Sequence, residues 1–169
     1  MNKYKKRIAD ELLAKKLKGK GAVLIQGPKW CGKTTTAEQF SKSVLYMDEP
    51  ERREQNIQLA DISQSTLLRG DTPRLIDEWQ TVPDIWNCVK DELDNDYQFG
   101  KFILTGSSTP ADKKTIRHSG AGRITPVKMR PMSLYESEES NGLVSLSELF
   151  EVPDQNVFYE NKDFTLPEG

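Results

Sequence analysis

The sequence predicts an α/β fold in a single domain, on three observations. The stretch Gly27-Pro28-Lys29-Trp30-Cys31-Gly32-Lys33-Thr34 fits G-x-x-x-x-G-K-[ST] and stands between an apolar run, Gly21 to Gln26, and a helical segment beginning at Thr34. Four more short apolar runs follow, within 43–47, 73–79, 101–108 and 124–129, with helical or irregular stretches among them. At 169 residues the chain can bury one substantial core and is short for two.

Each element has its own signal. Tyr4 to Leu17 sets Tyr4, Ile8, Leu12, Leu13 and Leu17 near one face with lysines opposite, which predicts an amphipathic helix docked on the core and ended by Gly19 and Gly21. Gly21 to Gln26 reads as a buried strand, and Ser43 to Met47 as a second one that ends in Asp48-Glu49-Pro50. Glu51 to Gly70 is helical or irregular, with a cap at Ser63 or Ser65 and a stop at Gly70. Pro73 to Trp79 carries an apolar pair ending in two adjacent carboxylates. Trp79, Val82, Ile85, Trp86, Val89 and Leu93 recur at three- and four-residue intervals, predicting a helix from Pro83 whose tryptophans and Cys88 are packing. Lys101 to Ser108 is a buried strand ending in hydroxyls. Ile124 to Met129 is the last strand, and Pro126 assigns it to a sheet edge. Short helices are expected at Pro131 to Glu136, capped by Ser133, and at Ser145 to Phe150; Pro153 to Gly169 has no firm pattern.

The glycine-rich stretch is a phosphate cradle. Gly27 and Gly32 allow backbone angles that a Cβ forbids, so successive N–H groups can turn onto phosphate oxygens at the positive end of a helix. Gly27, Pro28, Lys29, Trp30, Cys31, Gly32, Lys33, Thr34 and Thr35 are the expected nucleotide contacts, with Lys33 charged toward the β- and γ-phosphates and Thr34 offering a hydroxyl to Mg²⁺. Hydrolysis of a γ-phosphate needs one carboxylate for the hydrated metal and another for the attacking water; Asp77 suits the first role and Glu78 the second. Thr105 and Ser107 can hydrogen-bond the γ-phosphate or the water, or simply belong to the turn Gly106 to Pro110. Arg123, flanked by glycines, can bring its guanidinium to a phosphate in its own chain or across a subunit boundary. Cys31 lies beside Lys33 before a helix, where a thiolate is favoured, and His118, the sole histidine, reads as a surface residue.

Composition narrows the classes. The net charge of −2 says little, but residues 1–20 are basic and the chain turns acidic beyond Leu134. Nucleic-acid contact would suit the basic stretch, but a solvated helix face is the commoner explanation of such a run. Cys31 and Cys88 are far apart, without C-x-x-C or a histidine cluster, so neither a disulfide framework nor a zinc site is expected. No apolar run approaches the ~18 residues that span a bilayer, and a signal-peptide core is absent, so a cytoplasmic chain without membrane contact is expected.

Through these residues the chain resembles a prokaryotic AAA+ ATPase family in which an N-terminal ATPase domain precedes a C-terminal domain of uncertain function. The resemblance rests on Gly27 to Thr34, Leu75 to Gln80, Phe102 to Ser108, and Ser119 to Arg123 leading to Met129 to Glu136. It implies a three-layer α/β/α P-loop NTPase over residues 1–150, led by the helix of 1–18, with a mainly parallel sheet of about five strands. It further implies that the first strand is central and the catalytic strand lies beside it. Lys33 and Thr34 match the Walker A pair, Asp77 and Glu78 the Walker B pair, Thr105 or Ser107 the sensor, and Arg123 an arginine-finger position. Residues 151–169 are then expected to be the start of a second domain, missing here. Three functions follow: an ATPase using ATP and Mg²⁺ and coupled to a partner domain or client, with self-association; a nucleotide-dependent switch with negligible turnover; or an ATP-driven nucleic-acid-handling factor, the last on analogy.

Overall fold

A computed structural model describes residues 3–106, 122–142 and 150. The elements run α1 (Ile8–Leu17), β1 (Ala22–Gln26), α2 (Lys33–Glu38), β2 (Ser43–Tyr46), α3 (Arg53–Leu67), β3 (Arg74–Asp77), a 3-10 turn (Trp79–Thr81), α4 (Ile85–Asn95), β4 (Phe102–Gly106) and β5 (Ile124–Lys128). The five strands form one sheet in the order β2-β3-β4-β1-β5, with every pairing parallel. Parallel neighbours need crossover helices, so both faces become covered. Side chains alternate between the faces accordingly. Ala22, Leu24, Ile76, Phe102 and Leu104 pack with α3 and α4, whereas Val23, Ile25, Leu75 and Ile103 pack with α1 and α2. The fold is the expected three-layer α/β/α arrangement.

Burial explains the strand order. All five residues of β4 are buried, and it takes the middle of the sheet; β1 lies between β4 and β5. The expectation of a central β1 with the catalytic strand beside it is therefore corrected: β4 separates β1 from β3. Strands with exposed positions stand at the rims, Ser43 to Tyr46 at one and Pro126 and Lys128 at the other. Pro126 sits at the edge its missing N–H requires, while β2 is half-buried rather than fully buried.

Helix limits differ from the periodicity in instructive ways. α1 begins only at Ile8, and Ile8 is 67% exposed, because the inward face runs through Asp10, Leu13 and Leu17. Asp10 is buried because it accepts hydrogen bonds from the Arg7 N–H (3.0 Å) and the Tyr4 hydroxyl (2.8 Å). α3 consists of two helical pieces that meet at Ser63, whose extended backbone (φ −160°, ψ 95°) stands before the second piece, at one of the two positions expected for a cap. α4 starts at Ile85, after Pro83, and Trp79 lies in the preceding 3-10 turn; the two tryptophan rings pack at 5.3 Å in the core. Residues 134–138 form turns rather than the expected helix. Ser107, His118, the segment 145–149 and residues 151–169 lie outside the described residues. Among the described residues no helix is long and apolar enough to cross a membrane.

Candidate functional site

The carboxyl ends of the strands gather the predicted residues. β1 delivers the chain into the loop of 27–32, which passes so close to the end of β5 that a Cβ on Gly27 would stand 2.3 Å from the Met129 carbonyl oxygen. Gly32 ends the loop at φ +91°, a left-handed backbone that glycine adopts without steric cost. Trp30 is also left-handed, at φ +65°; the residue is 91% exposed, and the Lys29 ammonium lies 5.3 Å from the centre of its ring. Lys33 is 6% exposed and donates to the Gly27 and Pro28 carbonyls at 3.2 and 3.0 Å. Among the described residues it forms no ion pair. A buried ammonium answered only by two carbonyl dipoles leaves positive charge uncompensated in the loop, which fits an anionic ligand.

A second strand pair completes the group. Asp77, at the end of β3, accepts at Oδ1 from the Thr34 hydroxyl (2.7 Å) and from the fully buried Thr105 hydroxyl of β4. One carboxylate oxygen thus joins α2, β3 and β4, and the interposed β4 makes this junction. Thr34 and Asp77 are hard oxygen donors in contact, a donor set suited to Mg²⁺.

Glu78 follows in the left-handed region (φ +52°, ψ +46°), which costs a non-glycine residue roughly 1–3 kcal/mol. Its carboxylate accepts from the Gln80 amide. Gln80 is wedged against Gly106, and among the described residues its buried Oε1 has no hydrogen-bond partner. The Met47 N–H donates to the Asp77 carbonyl (3.1 Å), so Asp48 and Glu49 join Asp77 and Glu78 around a shallow acidic hollow of about 430 Å³.

Not every predicted residue comes here. Arg123 precedes β5, where its carbonyl accepts from Ala22 N–H at the start of β1 (3.1 Å), and its guanidinium pairs with Asp94. The span of β1 then separates it from the loop by roughly 13 Å, so within one chain Arg123 is not brought to the cluster. The Cys31 thiol, expected to be reactive, is turned inward: the residue is 5% exposed and packs among Val127 and Met129. Its backbone still belongs to the loop.

Sequence reasoning passed over Tyr4, Arg7 and Glu136. A cleft of about 850 Å³ opens beside the loop, lined by Tyr4, Arg7, Gly32, Thr35, Thr36 and Met132 among others. The Tyr4 hydroxyl, raised to about 12 by burial and Asp10 despite a lowering Thr36 contact, is a neutral partner of Asp10 and Thr36. Arg7 and Glu136 form an ion pair at 3.1 Å with side chains only 5% and 7% exposed. Arg7 is the one arginine among seven lysines in residues 1–20, and Glu136 stands three places after Ser133 in a capping pattern; these were the available signals.

Burial alone would raise the Glu136 carboxyl, but N–H donors from Ser133 and Ile8, the Ser133 hydroxyl and the Arg7 guanidinium outweigh it and hold it at about 2. A carboxyl that titrates lower when folded stabilises the fold above its unfolded value and loses that contribution as it becomes protonated. Melting temperature is therefore expected to fall between pH 4.5 and about 2, with a flatter fall in Glu136→Gln. Equal slopes for the two proteins would remove this role from Glu136.

Comparison with known proteins agrees with the geometry. A family model described as an AAA domain matches residues 19–138, from before β1 to the turn that holds Glu136. No curated protein matches the chain.

Proposed function

Since the chain belongs to the AAA domain family, a nucleotide-binding, ATPase-like fold, we propose that it binds ATP with Mg²⁺ at the 27–34 loop, hydrolyses the γ-phosphate and passes the resulting change to a partner domain or client. The observation that carries this reading is the Asp77 Oδ1 shared between the Thr34 and Thr105 hydroxyls, with Glu78 next in the chain. Lys33 leaves the loop carbonyls for the β- and γ-phosphates, and the loop N–H groups add dipoles. Thr34 and Asp77 would hold Mg²⁺, which supplies charge neutralisation on the phosphate oxygens when bound. Thr105 holds Asp77 in place. Glu78 orients the attacking water and takes its proton while the bond from the γ-phosphorus to the β,γ-bridging oxygen breaks, releasing ADP and phosphate. The cleft beside Gly32, Thr35 and Thr36 gives the nucleoside room.

One observation favours a second reading, a nucleotide-dependent switch. Arg123 stands at the far end of β1 and is paired with Asp94, so a single copy has no guanidinium from this residue at the loop. Another copy could supply it. Phosphate release by the purified chain, measured over a wide range of protein concentration, separates the readings. Specific activity rising with concentration, and lost in Arg123→Ala, marks an assembling ATPase; tight Mg-ATP binding with no turnover at any concentration marks the switch. No Mg-ATP binding at millimolar nucleotide overturns both.

A further inference from the structure

Arg7 lies outside residues 19–138, yet it reaches into the loop from the entry to α1. Three of its N–H directions are used. Nε donates to Glu136 (3.1 Å), Nη1 to the Cys31 carbonyl (2.8 Å) and Nη2 to the Arg130 carbonyl (2.9 Å). Glu136 is itself held by the Ile8 N–H and the Ser133 N–H, each at 2.8 Å, so the fork is fixed before it meets the loop.

The contact with Cys31 has a stereochemical consequence. In a trans peptide the carbonyl and the following N–H point opposite ways. Anchoring Cys31 O on Arg7 therefore turns the Gly32 N–H away from Arg7. Gly32, at φ +91°, offers little steric resistance to a flip of that peptide. A charge-assisted hydrogen bond from a buried guanidinium selects one of the two orientations.

We propose that Arg7 is a positioning residue for nucleotide binding: clamped by Glu136, it fixes the Cys31–Gly32 peptide and so sets which way the loop's N–H faces before ligand arrives. This rests on the nucleotide reading of the loop. Lysine keeps a cation for Glu136 but lacks the planar fork, so Arg7→Lys is the test. The control is Leu93→Ala, which opens the core on the other face of the sheet, away from Arg7.

Two measurements decide it, each on the full chain alongside melting temperature. In nucleotide-free protein, Arg7→Lys is expected to speed amide exchange in the 27–34 segment selectively, whereas Leu93→Ala lowers the melting temperature without that selective change. Mg-ATP affinity should weaken roughly tenfold or more in Arg7→Lys, as loss of one hydrogen bond from a charged donor brings. Loop exchange equal to wild type, or rising only in step with lost stability in both variants, overturns the proposal. Failure of wild-type protein to bind Mg-ATP would instead sink the nucleotide reading, and the exchange contrast would still judge the brace.

Discussion

Lys33→Ala is expected to weaken Mg-ATP binding by roughly two orders of magnitude or more, because hydrogen bonds to charged groups contribute about 1.5–3 kcal/mol each and this ammonium serves two phosphates. The fold should not suffer with it. Lys33 is buried and, among the described residues, holds only the Gly27 and Pro28 carbonyls, so its removal relieves a buried charge while leaving the sheet untouched. Without nucleotide, the variant is expected to melt no lower than wild type. With saturating Mg-ATP, wild type gains stability by mass action and the variant gains far less. A titration followed by thermal melts reads both effects on one sample. Near-normal affinity in a folded Lys33→Ala protein would falsify the cradle.

Local spacing made much of this legible. The run from Gly27 to Thr34 names its own backbone requirements, since Gly27 faces a close carbonyl and Gly32 takes a left-handed angle. The apolar runs located the five described strands, and Pro126 marked one edge, whereas β2, expected to be buried, proved to be the other edge. What the sequence hid depends on contacts between distant segments. No periodicity shows that β4 slips between β1 and β3, yet that order brings Thr105 to Asp77. Arg7 resembles its lysine neighbours until Cys31, Arg130 and Glu136 surround it. The Cys31 thiol was expected to follow the charge of Lys33, but packing against the end of β5 turns it inward. Arg123 shows the converse: its glycine-flanked position suggested a phosphate partner, and the fold gives it Asp94 within the same chain.

Glu78→Gln is expected to retain Mg-ATP affinity while turnover drops by about 10²–10⁴, the range that a positioned general base contributes. The amide preserves the side chain's shape and an oxygen for the Gln80 contact, but it cannot accept the proton of the attacking water. An interaction made only in the transition state lowers kcat and leaves ground-state binding alone, which separates this residue from Lys33. The backbone supports that division of labour. Glu78 occupies a left-handed conformation one residue after Asp77, and the two carboxylates take different partners, Asp77 the Thr34 and Thr105 hydroxyls and Glu78 the Gln80 amide. The unfavourable angle persists because the chain must turn at once into the Trp79–Thr81 helix, where the Thr81 N–H bonds the Glu78 carbonyl at 3.0 Å. Asp77 stays with Thr34 and Thr105 while Glu78 lines, beside it, the same acidic hollow, which has room for water. If Glu78→Gln lost binding and turnover in equal measure, Glu78 would be a structural part of the nucleotide site and the base would have to be another residue.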